Sequence, residues 1–426
     1  MTTIRPVAIV GGNRIPFAKE GGPYATKSNQ DMLSAALDGL IDRFHLSGLK
    51  LDEFSAGAVL KHSRDFNLAR EVVLGSRLDP ATPAYDVQKA CTTGMETAIG
   101  VSNKIALGQI DAGIAGGVDT TSDAPLGLND RLRRLLLNAR NSKSTGAKMK
   151  AVLGLRPSHM VPDMPRNAEP RTGLSMGEHA AQTAKEWGIS RIDQDEFAAT
   201  SHQRLAAAYE AGFFDDLLTP YENQRRDQIL RPNSNMEKLT KLSPTFGGSE
   251  GTMTAGNSTP LSDGAATVLL SSDEWAREHD LPVLAHLVDV QSAAVDFVDG
   301  DDGLLTAPVF AVPRLLERNE LSLEDFDFIE IHEAFASQVL ATLKAWENDE
   351  FCRDRLNLDG ALGSVARDRL NVNGSSLATG HPFAATGARI IATTAKLLHQ
   401  TGEKGKLGLV SVCAAGGQGT AAIIRS

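Results

Sequence analysis

The chain has 426 residues, enough for about three domain-sized units and for a core that needs no disulfide or metal staple. With 42% hydrophobic and 23% charged residues it is not a disordered, collagen-like or coiled-coil chain, and its net charge of −10 is a poor match for wrapping nucleic acid. No run of about 18 apolar residues offers a membrane span.

In chain order, Val7–Val10 reads as a strand ending in Gly11-Gly12 and is too short for a signal-peptide core. Asn29–Phe44 reads as a helix with Leu33, Ala36, Leu37 and Leu40 on one stripe. Ala56–Leu60 is a candidate strand and Thr92–Leu107 a helix; Ala112–Ala115 is a strand ending in Gly116-Gly117. The middle, Ser122 to Glu250, holds Pro-rich turns, basic loops and one amphipathic helix, Ile192–Ala211, and reads as an insertion that shapes a binding site. Near the end, Ala385–Leu398 reads as a helix, and Leu407–Val412 as a strand running into Cys413 and Gly416-Gly417. Both ends thus share one order: helix, short turn, buried strand, Gly-Gly. That weak repeat hints at a duplicated α/β fold, although any α/β protein shows some such alternation.

Three widely spaced cysteines, Cys91, Cys352 and Cys413, make no secreted disulfide framework, and a reducing cytoplasm is the default. Cys91 lies between a strand end and a helix start, where the macrodipole and free N–H groups favour the nucleophilic thiolate; an inert buried thiol is the competing reading. Cys413 ends a buried strand beside small residues. His381 sits in Gly380-His-Pro382 before a helix, and His332 follows the apolar run Phe328–Ile331. Each is weak alone. Together they are two cysteines and two histidines at strand ends or helix starts, where α/β sheets bind ligands, and a Cys with a His base suffices for acyl transfer. Gly247-Gly-Ser249-Glu-Gly251 lacks the strand and helix of a nucleophile elbow. Gly417-Gln-Gly419 opens no helix long enough for a dinucleotide fingerprint. Cysteine and histidine spacings suggest no metal site. Arg131 to Arg156 carries eight cations, including Lys150, and no acid. It could meet a phosphorylated ligand, an acidic partner or a membrane surface through Leu132, Leu135 and Leu136, or be a solvated face.

Seven motifs in order resemble the thiolase family over nearly the whole chain. They are Gln88-Lys-Ala-Cys91-Thr-Thr-Gly94, Gly116-Gly-Val-Asp-Thr-Thr-Ser122, Ser175-Met-Gly177, Thr254-Ala-Gly-Asn-Ser258 with Asp263-Gly-Ala265, His332-Glu-Ala-Phe335, Gly380-His-Pro382 and Cys413-Ala-Ala-Gly-Gly-Gln-Gly419. His332, where many thiolases carry Asn, and the long middle segment resemble the β-subunit type of the trifunctional β-oxidation complex.

The resemblance implies an α/β fold of two similar βαβαβαββ halves in a five-layer α/β/α/β/α stack with an inserted loop domain. The implied division is 1–121 and 251–275 for the first half, 122–250 for the insertion on the coenzyme A side, and 276–426 for the second half. Cys91 would carry the acyl group, His381 would take its proton, and Cys413 would move the proton at the α-carbon. His332 with a water, and His381, would form one oxyanion pocket; the backbone N–H groups of Cys91 and Ala415 would form the other. Ser175, Met176, Phe246, Ala255, Thr259 and Phe335 match coenzyme A or substrate contacts, with Thr259 standing where serine is common. Cys352, outside every motif, reads as a bystander.

The expected activity is thiolysis of 3-oxoacyl-CoA in fatty acid β-oxidation, with acetyl-CoA condensation as the reverse. Coenzyme A and acyl-CoA are substrates, and no bound cofactor is implied. A homodimer or homotetramer in the cytoplasm is expected, with a hydratase/dehydrogenase subunit as a partner and peripheral contact through Arg131–Arg156. A ketoacyl synthase is the rival enzyme, but those synthases use two histidines with their nucleophile, and Cys413 departs from that pattern. A non-catalytic acyl-CoA or lipid binder would have lost the reactive residues retained here.

Overall fold

A computed structural model describes residues 4–426; the side chains of residues 147 and 150–152, Lys150 among them, lie outside the description. The first half contributes β1 (Ala8–Arg14), α1 (Asn29–Arg43), β2 (Glu53–Ala56), β3 (Ala84–Asp86), α2 (Thr93–Ala106) and β4 (Ala112–Asp119). Next come the surface helices Asp130–Asn141 and Thr145–Leu153, then α3 (Met176–Glu186) and α4 (Arg191–Glu210). The remainder holds β5 (Ser262–Ser271), β6 (Ala285–Ala294), α5 (Ala307–Asn319), β7 (Phe328–Ile331), α6 (Ala336–Glu347), α7 (Thr386–Gln400), β8 (Leu407–Ala414) and β9 (Gln418–Arg425).

The strands join in the order β7-β8-β9-β6-β1-β5-β4-β2-β3. Outward from β1, β5 and β4 pair antiparallel and β2 and β3 pair parallel. Outward from β6, β9 and β8 pair antiparallel and β7 pairs parallel; Leu370 then bridges Ile329 in parallel where β3 stands in the other half. The duplication hinted at by the sequence is therefore present in the pairing itself. The two half-sheets meet edge to edge at Ala8↔His286 and Ile9↔Ala285.

Helices α2 and α7 lie between the half-sheets. One core joins Met95, Ala98 and Val101 of α2 and Ala388, Ile390 and Ile391 of α7 to Ile9 and Val268 on one side and Val410 and Ala422 on the other. Every residue of α7 from Thr386 to Leu398 is buried, as a helix covered on all sides requires. On the outer face of the first half, α1 packs its Leu33, Ala36, Leu37 and Leu40 stripe. On the outer face of the second half, α5 and α6 pack Val312 and Trp346. The layers are α/β/α/β/α.

Several boundaries differ from the sequence reading. β1 and β4 run through their Gly-Gly pairs instead of ending there, because these glycines serve packing. A Cβ at Gly117 would lie 2.0 Å from the Ala384 carbonyl oxygen, and one at Gly12 would lie 2.4 Å from Ala392 Cβ. The strand expected at Ala56–Leu60 is Glu53–Ala56. The middle segment has more helix than its prolines suggest. Its α4 is not simply amphipathic, since its buried face carries Asp195, Ser201 and His202 as well as Leu205.

Candidate active site

Cys91 lies in the turn between β3 and α2. The residue before it, Ala90, is held at φ 45°, a left-handed conformation costly for a residue with a Cβ. Thr93 secures the turn: its hydroxyl donates to Ala90 O at 2.7 Å and accepts from Lys89 N–H at 2.9 Å. The backbone N–H groups of Ala415 and of Cys91 itself act on the Cys91 sulfur. Those contacts favour the thiolate, but burial outweighs them and pushes the thiol up to about 12, with Asp119 and Glu169 adding to the shift. The helix start thus favours the thiolate, as the sequence reading expects, while burial of this partly exposed residue opposes it.

Cys413 ends β8, paired with Gly419 of β9. The intervening turn uses Gly416 and Gly417 at φ 77° and 67°, where side chains are disfavoured. This turn points Ala415 N–H at Cys91, while Gly416 N–H donates to Glu169 Oε1 at 2.7 Å. Burial first, and the Cys91 sulfur second, raise the Cys413 thiol well above its ordinary value.

His381 precedes α7. Its Nδ1 is 2.6 Å from the Thr386 hydroxyl, and its backbone N–H donates to Ser262 Oγ at 3.2 Å. Burial, with help from Arg389, lowers its pKa to about 3, so the ring is neutral. His332 is fully buried, its ring centroid 4.1 Å from that of His381. Burial, then His381 and Arg389, keep it neutral too. The Nε2 atoms of both rings are buried without a hydrogen-bond partner.

Cys91, His381, Cys413 and Ala415 line one cavity together with Met176, Thr259 and Phe335. Asn167, Pro260, Leu261, Leu305, Ala334 and Phe383 complete it. His332 sits behind His381 and does not line it. Three predicted contact positions also lie off the cavity. Ser175 caps α3, its hydroxyl engaged with Glu178; Phe246 packs edge-on to Phe335 at 6.1 Å; and Ala255 is exposed. The Thr259 hydroxyl donates to Ala334 O at 3.0 Å, which ties the Thr254–Thr259 turn to the His332 loop.

A family model of the thiolase N-terminal domain matches residues 7–274, and one of the thiolase C-terminal domain matches residues 281–426. The chain belongs to the thiolase family. It is an acyltransferase of that family. The 3-ketoacyl-CoA thiolase of Yersinia pestis (strain Pestoides F) is 40% identical over 424 residues, covering 98% of this chain and 96% of the relative. Its counterpart in Yersinia pseudotuberculosis (serotype O:3, strain YPIII) matches equally. Among solved structures, the acetyl-CoA acetyltransferase of Bacillus anthracis superposes with TM-score 0.81 at 29% identity over all of both chains. Human mitochondrial 3-ketoacyl-CoA thiolase in complex with CoA gives 0.79 at 29%, also over all of both chains.

Around this thiolase site stand residues that the motifs alone did not single out. The Glu333 carboxylate is fully buried and accepts from the Ser201 hydroxyl, Asn371 Nδ2 and Leu377 N–H at 2.7, 2.7 and 3.1 Å. Asn371 also bonds Ile331 N–H and C=O, so it braces the loop that carries His332. Asp119 accepts from Val59, Leu60 and Ala384 N–H, tying β4 to the His381 loop; burial nevertheless raises it to about 7. Glu333 and Asp119 were visible inside the motifs His332-Glu-Ala-Phe335 and Gly116-Gly-Val-Asp-Thr-Thr-Ser122. Ser201 and Asn371 carry no local signal, being 132 and 38 positions from Glu333.

Proposed function

We propose that this thiolase cleaves 3-oxoacyl-CoA with coenzyme A to give acetyl-CoA and a shortened acyl-CoA, in the degradative direction of fatty acid β-oxidation. The observation that carries the reading is the single cavity shared by Cys91, His381 and Cys413. In this reading the Cys91 sulfur attacks the 3-oxo carbonyl as its proton passes to His381. The bond between C2 and C3 breaks and Cys413 gives its proton to the acetyl-CoA enolate; the thiol of a second coenzyme A then takes the acyl group from Cys91, its proton returning to Cys413 while His381 returns the first proton to the Cys91 sulfur. Cys91 and Ala415 N–H, already directed at the sulfur, would meet one oxyanion. His381, and His332 through a water, would meet the other. Loss of one oxyanion donor typically costs about 10²–10³ in rate.

Likeness to 3-ketoacyl-CoA thiolases favours the degradative direction, and likeness to an acetyl-CoA acetyltransferase keeps condensation in view. Coenzyme A is assigned to Met176, Thr259 and Phe335 at the cavity, with Ser175, Phe246 and Ala255 along its approach. The repeated strand order supports 1–121 with 251–275 and 276–426 as the two halves around an insertion at 122–250. We place the enzyme in the cytoplasm as a homodimer or homotetramer; among the described residues no helix is long and apolar enough to cross a membrane. A hydratase/dehydrogenase partner or a membrane surface would meet the Arg131–Arg156 segment. There Leu132 is buried, whereas Leu136, Leu137, Met149 and Leu153 are exposed beside the cations.

The test is direct. Pure protein, 3-oxoacyl-CoA and coenzyme A should release acetyl-CoA, with a preferred acyl length emerging from kcat/KM. Cys91→Ala should form no acyl-enzyme by mass spectrometry. Absence of turnover at every chain length, or an acyl adduct on the variant, overturns the reading.

A further inference from the structure

The two neighbouring histidines have alike first partners and unlike second ones. Nδ1 of His332 lies 2.7 Å from the Ser376 hydroxyl, and Nδ1 of His381 lies 2.6 Å from the Thr386 hydroxyl. A hydroxyl has one proton to give, so its other partner decides which way its bond to the imidazole runs. Ser376 Oγ is also 2.8 Å from Arg389 Nη2, which can only donate. The serine oxygen thus accepts from arginine, and its proton has His332 Nδ1 as its acceptor. Thr386 Oγ1 is 3.3 Å from the Pro382 carbonyl oxygen, which can only accept. The threonine proton goes there, and its oxygen accepts from His381 Nδ1–H. The reverse directions would strand the Ser376 proton and give up the Thr386 bond to Pro382.

We infer that Ser376, oriented by Arg389, and Thr386 hold the two histidines in opposite tautomers, His332 with its proton on Nε2 and His381 with a bare Nε2. Burial keeps both rings neutral, the condition under which tautomers are defined. One neutral ring is then a hydrogen-bond donor and its neighbour a proton acceptor, although they are the same residue type in the same low-dielectric enclosure. The functional value of this division rests on the thiolytic reading above. The Cys91 S–H bond breaks as sulfur bonds the carbonyl carbon, and the proton forms a new bond to His381 Nε2, while His332 Nε2–H remains a donor. Ser376, Thr386 and Arg389 are positioning residues; they act through the rings.

The experiment uses the full-length protein labelled with 15N-histidine, the two rings being assigned with His332→Asn and His381→Asn. In the wild type, His332 should show a pyrrole-like Nε2 and a pyridine-like Nδ1, and His381 the opposite. The same tautomer on both rings, or a proton on His332 Nδ1, overturns the inference. Ser376→Ala should convert His332 to a tautomer mixture and lower kcat about 10–100-fold at unchanged KM, and Ser376→Thr should restore both. A fall in kcat with the His332 tautomer intact also overturns it. If the alanine variant does not fold, the wild-type spectrum still decides. Opposite tautomers in a protein that shows no thiolysis would sink the functional reading and leave this inference standing; thiolysis with alike tautomers would do the reverse.

Discussion

At Cys91 two physical effects oppose one another. The start of α2 and two N–H groups favour the thiolate, while removal from water favours the thiol, and the second effect wins. With its thiol raised to about 12, the nucleophile would be released by proton transfer during attack and not stored as a resting ion pair. Alkylation of Cys91 by iodoacetamide should then rise about tenfold per pH unit from pH 7 to 10, because the thiolate fraction grows that way below a pKa near 12. Sites can be followed by peptide mass spectrometry. A plateau by pH 8 would mean that a thiolate–imidazolium pair already exists. Cys352 takes no part in this chemistry. It is buried away from the cavity, its thiol weakly bonded to the Ala345 and Trp346 carbonyls.

Among the secondary elements, the approach of α2 to α7 does most to assemble the site. A Cβ on Gly387 would lie 2.3 Å from Met95 N, and one on Gly94 would lie 2.6 Å from the Ala384 carbonyl oxygen. Backbone meets backbone there, which brings the turn bearing Cys91 against the loop bearing His381. Gly387→Ala must push the two apart. It should cost about 1–3 kcal/mol of stability by urea unfolding and about 10²-fold in kcat, as displacements near 1 Å do. Unchanged kcat would show that the glycine contact does not set the catalytic distance. Helix α4 acts at the same scale. Its buried polar face is explained by partners elsewhere, Ser201 on Glu333 and Asp195 on Asn257, so hydrophobic periodicity understated its role.

Over the whole molecule, a buried ion pair ties the first strand to the segment after α4. Arg14 donates to both Asp227 oxygens at 2.6 and 2.8 Å, and Asp227 also accepts from Phe17 N–H and the Tyr209 hydroxyl. Both side chains are almost wholly buried, so Asp227→Ala leaves an uncompensated cation. It should destabilise the protein by about 3–5 kcal/mol in urea unfolding; a loss under about 1 kcal/mol would show that water reaches the pair. The motifs, the α/β class and the α1 and α7 helices were readable in the sequence, because local chemistry and periodicity demand particular residues at short spacing. The strand ends at Gly11-Gly12 and Gly116-Gly117 were misread, while the turn at Gly416-Gly417 was read correctly, since glycine serves equally for a turn and for close packing. By itself the sequence determined which groups could do acyl transfer and hinted that the fold repeats. Only the tertiary structure decided that His332 stands behind His381, that burial raises the Cys91 thiol, and that Ser376, Thr386 and Arg389 gather around the imidazole Nδ1 atoms. Those properties depend on solvent exclusion and on contacts between distant segments, which no local spacing encodes.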